Sequence, residues 1–533
     1  MKEFDYIIIG SGSAGSVIAE KLSASGRFEV MLLEAGGTDF NPFIAAPVGE
    51  TALLETRVDW AFKSEPEQEL GNNTLVMSRG KCIGGSSSIN GQLCFRGHPG
   101  DYDEWAEMGN TGWAYRDVLP LFRDMESWEG GADEWRGDSG PLRTAGSRYI
   151  HPLFNAFLEA GKRMGYRQTT DFNGENPEGF GICQHTHYHW PVLRCSASYA
   201  YLMKARWRRN LTILKHAEAH HVLFEGRKAV GVRFHRKGKL HDVRARREVI
   251  ISAGAYQSSK LLMLSGIGPG GHLQEHGIDT LHDLRGVGGN LKEQIGSFVQ
   301  HDCLQPITYY KYKQPLHAVV AIAQWMLLGR GPLTVFPMSA SAIVKSDESL
   351  PRADMQFYVF PLGVNAHVNG TYDTNKHAYN IHWGQCRPYS SGTVRLRSAD
   401  PQDAPVIHHN FYSDERDKVL NRWALRKARE MHQQTAFDPY RGAEIAPGPE
   451  VQTDDEIDDF TRRYFANHYH AASSNKMGHD ADSVVDSRCR VHGVESLRVA
   501  DVSIMPFPVT GGLNVPTMMI GANAGRMILE DAV

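Results

Sequence analysis

The sequence specifies an α/β protein, α+β when taken whole, in which a parallel-sheet nucleotide domain receives an inserted domain built on an antiparallel sheet. Three observations predict this. The apolar run Tyr6-Ile-Ile-Ile9 feeds Gly10-Ser-Gly12-Ser13-Ala14-Gly15, and a second run, Val30-Met-Leu-Leu33, ends on Glu34, which is the order of a Rossmann-like βαβ unit. Further along, Glu248-Val-Ile-Ile251-Ser-Ala253-Gly254-Ala255 again runs an apolar strand into a small-residue turn, with Ser258-Ser-Lys-Leu-Leu-Met-Leu264 as its helix. Over residues 300–460 the texture changes to aromatics, histidines and alternating runs such as Thr393-Val-Arg-Leu-Arg397, the pattern of an antiparallel sheet.

In the first unit each glycine has its own duty. Gly10 allows the sharp turn, Gly12 lets the backbone approach a pyrophosphate, and Gly15 lets helix and strand pack closely. Glu34 follows Gly15 by 19 positions, where a carboxylate accepts hydrogen bonds from ribose hydroxyls. The same carboxylate would repel a 2′-phosphate, so NAD or FAD is expected rather than NADP.

The remaining elements follow in chain order. Ser78-Arg79-Gly80-Lys-Cys-Ile-Gly84-Gly85-Ser86-Ser87-Ser-Ile89-Asn90, continued by Gly91, offers many N–H groups and hydroxyls to a polar ligand. Asp101-Tyr-Asp-Glu-Trp105 places acid where a helix N-terminus favours it. Near the C-terminus, Leu497-Arg-Val-Ala500-Asp501 reads as a strand ending on a carboxylate, and a helix begins near Pro516. The nucleotide domain is therefore expected to draw on both ends of the chain: 1–155, 195–300 and 461–533, with 156–194 and 301–460 forming the substrate domain.

Bulk properties exclude several function classes. At 533 residues the chain exceeds one ordinary core. A hydrophobic content of 41%, a charged content of 22% and a formal charge of -4 show no bias toward nucleic acid. The seven cysteines are scattered, with no metal-ligand spacing, and read as reduced thiols in a cytoplasmic protein without a bound metal. The start Met-Lys-Glu-Phe-Asp-Tyr enters the first strand at once, so no export signal is expected. The longest apolar stretch, residues 319–328, is far shorter than the ~20 residues of a bilayer span and is expected to be a buried helix rather than a transmembrane segment.

These blocks, in this order, resemble the glucose-methanol-choline (GMC) oxidoreductases, flavoenzymes that oxidise alcohols. The matching segments are the N-terminal glycine motif, Arg79 through Asn90, Ser252 to Ala255 with Gly266-Ile-Gly268-Pro269, Gly286-Val-Gly288 with Asn290-Leu291, and the region from His470 to Gly525. Within the family the chain is most similar to the branch of choline dehydrogenases, aryl-alcohol or hydroxymethylfurfural oxidases and pyridoxine 4-oxidase. The resemblance implies FAD held by Gly10, Gly12, Ser13, Ala14, Gly15, Glu34, Arg79, Gly80, Gly84, Gly85, Ser86, Ser87, Asn90, Gly91, Ala253, Ala500, Asp501, Asn514, Val515 and Pro516. Some members attach the flavin through a histidine; Ile89 occupies that position here, so the FAD is expected to be non-covalent. Two departures stand out: His470-Ala-Ala-Ser473-Ser474 where the family often has a Gly-Thr pair, and Asn290-Leu-Lys-Glu-Gln294 where many relatives carry an Asp-His pair.

Alcohol oxidation needs a proton acceptor beside the hydroxyl, and an ordinary histidine pKa of ~6.5 suits that role. The resemblance places the catalytic histidine at His470 and its partner at Asn514; His468, two residues before His470, would face the same pocket in an extended segment and is a further candidate for substrate contact. The expected reaction is oxidation of a primary alcohol, aromatic or heteroaromatic alcohols included, to the aldehyde, with hydride passing to flavin N5 and oxygen or another electron acceptor closing the cycle. Choline dehydrogenase-type activity and a non-redox FAD-containing lyase are the alternatives; an NAD-dependent dehydrogenase or a non-catalytic flavoprotein scaffold would be further removed.

Overall fold

A computed structural model describes residues 2–364 and 375–532. The apolar run after the N-terminus forms the strand Glu3–Ile9, buried along its second half because both faces of the sheet are covered. It pairs in parallel with Val30–Leu33 on one side (Tyr6 opposite Val30) and with Lys239–Ile251 on the other (Ile7 opposite Val249). Leu211–Leu214 extends the sheet beyond Val30–Leu33. The long strand Lys239–Ile251 divides its partners. Its first half closes an antiparallel meander with Lys228–Arg236 and Glu218–Glu225, and its last three residues pair in parallel with Leu497–Val499. The C-terminal segment thus completes the N-terminal sheet, as its strand pattern implied.

The helix Ser13–Ser23 leaves the glycine turn and packs on the C-terminal helix Asn514–Asp531. Gly521 permits the crossing, since a Cβ there would lie 2.6 Å from the Ala14 carbonyl oxygen. Both ends of the chain therefore share one core.

A second, six-stranded antiparallel sheet runs in the order Arg441–Ala446, Phe298–Cys303, Ala378–Gln385, Met355–Phe360, Ala340–Val344, Gly179–Ile182. Helices Pro152–Arg163 and Glu415–His432 bury Leu153, Phe154, Phe157, Leu425 and Met431 against it. The expected limits at 155/156 and 300/301 cut through that first helix and the strand Phe298–Cys303; both belong with the second sheet, because their apolar faces close its core. The alternating run from Thr393 is not in this sheet. It forms the ribbon Thr393–Arg395 with Val406–His408, whose Val394 and Ile407 pack with Phe62 and Tyr256.

The helix Pro315–Leu328 also departs from expectation. It is apolar on nearly every side, yet only Ala321 is buried. Among the described residues no helix is long and apolar enough to cross a membrane. All seven cysteines are free and buried, and no metal-binding cluster of His, Cys, Asp or Glu occurs among the described residues.

Candidate active site

One continuous cavity runs from the glycine turn and Glu34 to His470 and Asn514, crossing the seam between the two sheets. At its nucleotide end the three glycines behave differently. A Cβ on Gly10, whose φ is +97°, would meet the Ser252 carbonyl oxygen at 2.4 Å, and one on Gly15 would meet the Gly10 carbonyl oxygen at 2.0 Å. Gly12 has nothing within 4 Å and faces open space at the start of the helix Ser13–Ser23, whose first turn has no side-chain cap. Uncapped N–H groups and a positive helix end there form a cradle for a diphosphate. The loop after Arg79 closes over it: a Cβ on Gly85 would come within 2.7 Å of the Gly12 Cα.

Glu34 stands on this wall, buried, with its pKa raised by desolvation. It accepts from the Ser11 N–H (3.1 Å), the Ser11 hydroxyl (2.6 Å) and the Gly36 N–H (2.8 Å). A carboxylate has about four acceptor positions, so about one remains for a ribose hydroxyl. Asp501 also reaches the wall, but Gly254 N–H (2.8 Å), the Ser258 hydroxyl (2.6 Å) and Ser503 N–H (2.8 Å) occupy it, tying strand to helix. Ser13, Ala14, Arg79, Gly80, Ser86, Asn90, Gly91 and Ala253 line the cavity as well. Gly15, Gly84, Ser87, Ala500, Val515 and Pro516 do not; they are the packing behind it, as in the Ser87 hydroxyl that donates to Gly84 O and accepts from Ala197 N–H. The open glycine, the uncapped helix and the partly free acid fit the diphosphate and ribose of FAD. Ile89 on the same wall has no nucleophile for a covalent link.

A second polar cluster on the cavity wall is built round His470. Its Nδ1 lies 2.6 Å from the Oε1 of Gln294. The Gln294 amide nitrogen donates to two carbonyl oxygens, those of Cys386 (2.9 Å) and Val509 (3.3 Å), which can only accept. The carboxamide therefore has one orientation, its oxygen faces His470, and Nδ1 must carry the proton. Nε2 is left as a bare lone pair, close to Gly512 on the cavity wall. Glu293 holds the same residue by its backbone, accepting the His470 N–H with one oxygen and pairing with Arg79 (3.2 Å) through the other. The two positions that depart from the family pattern thus supply the contacts to the histidine. Sequence reasoning missed them as partners, although their place in the motif was the available signal.

Asn514 begins the C-terminal helix, and its Oδ1 accepts from the Ser13 hydroxyl (2.8 Å). With the oxygen engaged, the amide N–H groups are its free face. An acceptor and a donor thus line one cavity: Nε2 of His470 and Nδ2 of Asn514.

Burial, then the neighbouring His468 and Arg79, lowers the His470 pKa to about 3, so the ring is neutral at working pH rather than near its ordinary midpoint. His468 lines the cavity too, donating to Trp383 O (3.1 Å), and burial lowers it to about 4. His382 is held well below its usual value by burial and by His468. Burial raises Glu293 to about 7 against the opposing pull of Arg79. Ser474 and Asn475 are structural: the Ser474 hydroxyl donates to Ala255 O (2.6 Å), and Asn475 bonds Ser259 and Ser503.

Comparison with known proteins identifies the family. Models of the N- and C-terminal parts of the GMC oxidoreductases match residues 4–295 and 388–521. The chain is 44% identical over 530 residues to an oxygen-dependent choline dehydrogenase of Brucella suis, covering 99% of this chain and 96% of the relative. It is 43% identical over 528 residues to one from Rhizobium rhizogenes (98% and 95%). Among solved structures, pyridoxine 4-oxidase from Mesorbium loti superposes with a TM-score of 0.90 at 27% identity, covering 99% of both chains. A fungal aryl-alcohol oxidase shares the fold, with a TM-score of 0.89 at 21% identity over 100% of both chains. The diphosphate cradle in this cavity and relatives that match nearly end to end agree: the chain belongs to the GMC oxidoreductase family and is an FAD-dependent alcohol oxidoreductase.

Proposed function

We propose that the protein oxidises a primary alcohol, aromatic or heteroaromatic alcohols foremost, to the aldehyde, with His470 as proton acceptor and Asn514 as the donor that holds the alcohol oxygen. The observation that carries this is the fixed Nδ1–H tautomer of His470. The alcohol O–H donates to Nε2 while its oxygen accepts from the Asn514 amide; as the proton moves to Nε2, that amide stabilises the developing negative charge. The chemistry FAD supplies when bound is acceptance of the hydride at N5. The low basicity of His470 suits proton transfer concerted with hydride loss, because a free alkoxide would not form against so weak a base. Oxygen or another acceptor then completes turnover.

Aromatic preference rests on the wall around the histidines. Phe95, Phe336, Tyr358, His382 and His468 line the cavity, and both of these histidines are held neutral. Rings with hydrogen-bonding edges suit an aromatic or heteroaromatic carbinol. One observation favours choline instead. Glu50, on the same wall, has a carboxylate oxygen without a hydrogen-bond partner, burial raises its pKa to about 7, and the closely similar relatives are choline dehydrogenases. A cytoplasmic location is supported by the seven free cysteines.

The test is anaerobic bleaching of the FAD-loaded enzyme by benzyl alcohol, pyridoxine and choline in turn, followed by air. Faster bleaching by the aromatic alcohols is expected, with His470→Ala slowing it about 10²–10⁴-fold. Bleaching by choline alone would select the second reading, and near-normal bleaching in His470→Ala would end the proposed role.

A further inference from the structure

We propose that the helix Pro315–Leu328 docks the protein on the surface of an anionic phospholipid bilayer. Leu316, Val319, Val320, Met326, Leu327 and Leu328 are 48–75% exposed on this one helix. Single exposed apolar residues are ordinary on a soluble protein; a contiguous set on one short helix marks an interaction surface. The side facing the protein is anchored by Ala321 and by the Trp325 indole, which donates to Val192 O (2.8 Å). The exposed set is therefore held outward rather than waiting to collapse inward.

Charge selects the occupant. The sequence has no Asp or Glu between Asp302 and Asp347, while Lys311 and Arg330 flank the helix within that interval, in a chain whose formal charge is -4. Cations bracket the helix at both ends, Lys311 over the Tyr312 ring before it and the exposed Arg330 after it. Trp190, 58% exposed, stands against Gly329 at the C-terminal end. An apolar helix between cations and interfacial aromatics matches the headgroup boundary of an anionic leaflet. A second copy would face like charge at both ends of the helix. At 14 residues the helix is about 21 Å long, too short to span the ~30 Å hydrocarbon core, so it lies on the bilayer rather than across it. Eight residues past Leu328 the chain reaches Phe336 on the wall of the cavity, so docking sets the alcohol site close to the lipid.

The test is sedimentation of the full-length, FAD-loaded protein with phosphatidylcholine vesicles that contain phosphatidylglycerol at roughly one lipid in three. Wild type is expected to pellet with these vesicles, and less with phosphatidylcholine alone or at high salt. The triple variant Leu316→Ser, Val319→Ser, Leu327→Ser is expected to bind about tenfold more weakly or worse, with flavin content and alcohol turnover unchanged. Equal binding by the triple variant overturns the proposal. So does a wild type that does not pellet, and if light scattering then shows a dimer that the triple variant dissolves, a second copy is the occupant.

Discussion

Replacing Gln294 by leucine removes the group that assigns the His470 proton. In the resting enzyme the lost contact is a bond from a neutral imidazole N–H, worth about 0.5–1.5 kcal/mol, but when Nε2 takes the alcohol proton it becomes a bond from a cation, worth about 1.5–3 kcal/mol. The transition state therefore loses about 1–2 kcal/mol more than the ground state, a five- to thirtyfold fall in the rate of flavin reduction. The carbonyl oxygens of Cys386 and Val509 lose their donors as well, at about 1–3 kcal/mol of stability each. Stopped-flow anaerobic reduction against alcohol concentration reads the first effect and urea unfolding the second. A companion, Gln294→Glu, separates positioning from packing. A carboxylate beside Nδ1 favours the protonated ring, so the pH below which the base is lost should move up from about 3 toward neutrality. Wild type, whose folded pKa is depressed, should keep its base at every pH above that value. Unchanged reduction rates in Gln294→Leu, together with an unmoved acid limb in Gln294→Glu, would refute the assigned tautomer.

Gly12→Ala should fold with a near-normal thermal midpoint, because nothing lies within 4 Å of the new methyl, yet lose most of its flavin absorbance; Gly15→Ala, 2.0 Å from the Gly10 carbonyl oxygen, should instead fail to fold stably. Glu293 has a folded pKa raised to about 7 from an ordinary 4.5, so the unfolded chain releases its proton first and stability falls as pH rises through that window, levelling above it. Glu293→Gln should remove a few kcal/mol of that pH-dependent loss while leaving the part that belongs to Glu50, as unfolding measured from acid to neutral pH would show. Ser13→Ala frees the Asn514 amide to rotate; kcat/KM should fall by about two- to tenfold, and no change would dissociate the Ser13 contact from orientation of the alcohol.

Much of the fold was legible because its signals are local. Strand, glycine turn, helix and acid follow one another within the first 34 residues, and the parallel pairing of Ile7 with Val249 follows from two apolar runs that each need both faces covered. The ribbon at Thr393 was misplaced because alternation reports a strand and not its partner. The helix Pro315–Leu328 was misread because hydrophobicity reports a preference for burial, not whether the rest of the chain supplies a surface to bury against. Similarly, the motif position singled out His470, but an ordinary histidine pKa was the wrong guide to its basicity, since burial and the nearby Arg79, far away in the chain, are set by the fold.

By itself the sequence determined the chemistry on offer: a diphosphate-binding turn, a histidine and an asparagine at motif positions, and an isoleucine where a covalent link would need a nucleophile. Only the tertiary structure decided what those groups do. Gln294 can impose a tautomer on His470 because the carbonyls of Cys386 and Val509, far apart in the chain, converge on its amide, and Ser13 can turn Asn514 into a donor because the first and last helices cross at Gly521. Hydrogen-bond direction is set by which partners meet in space, and no local run of residues carries that information.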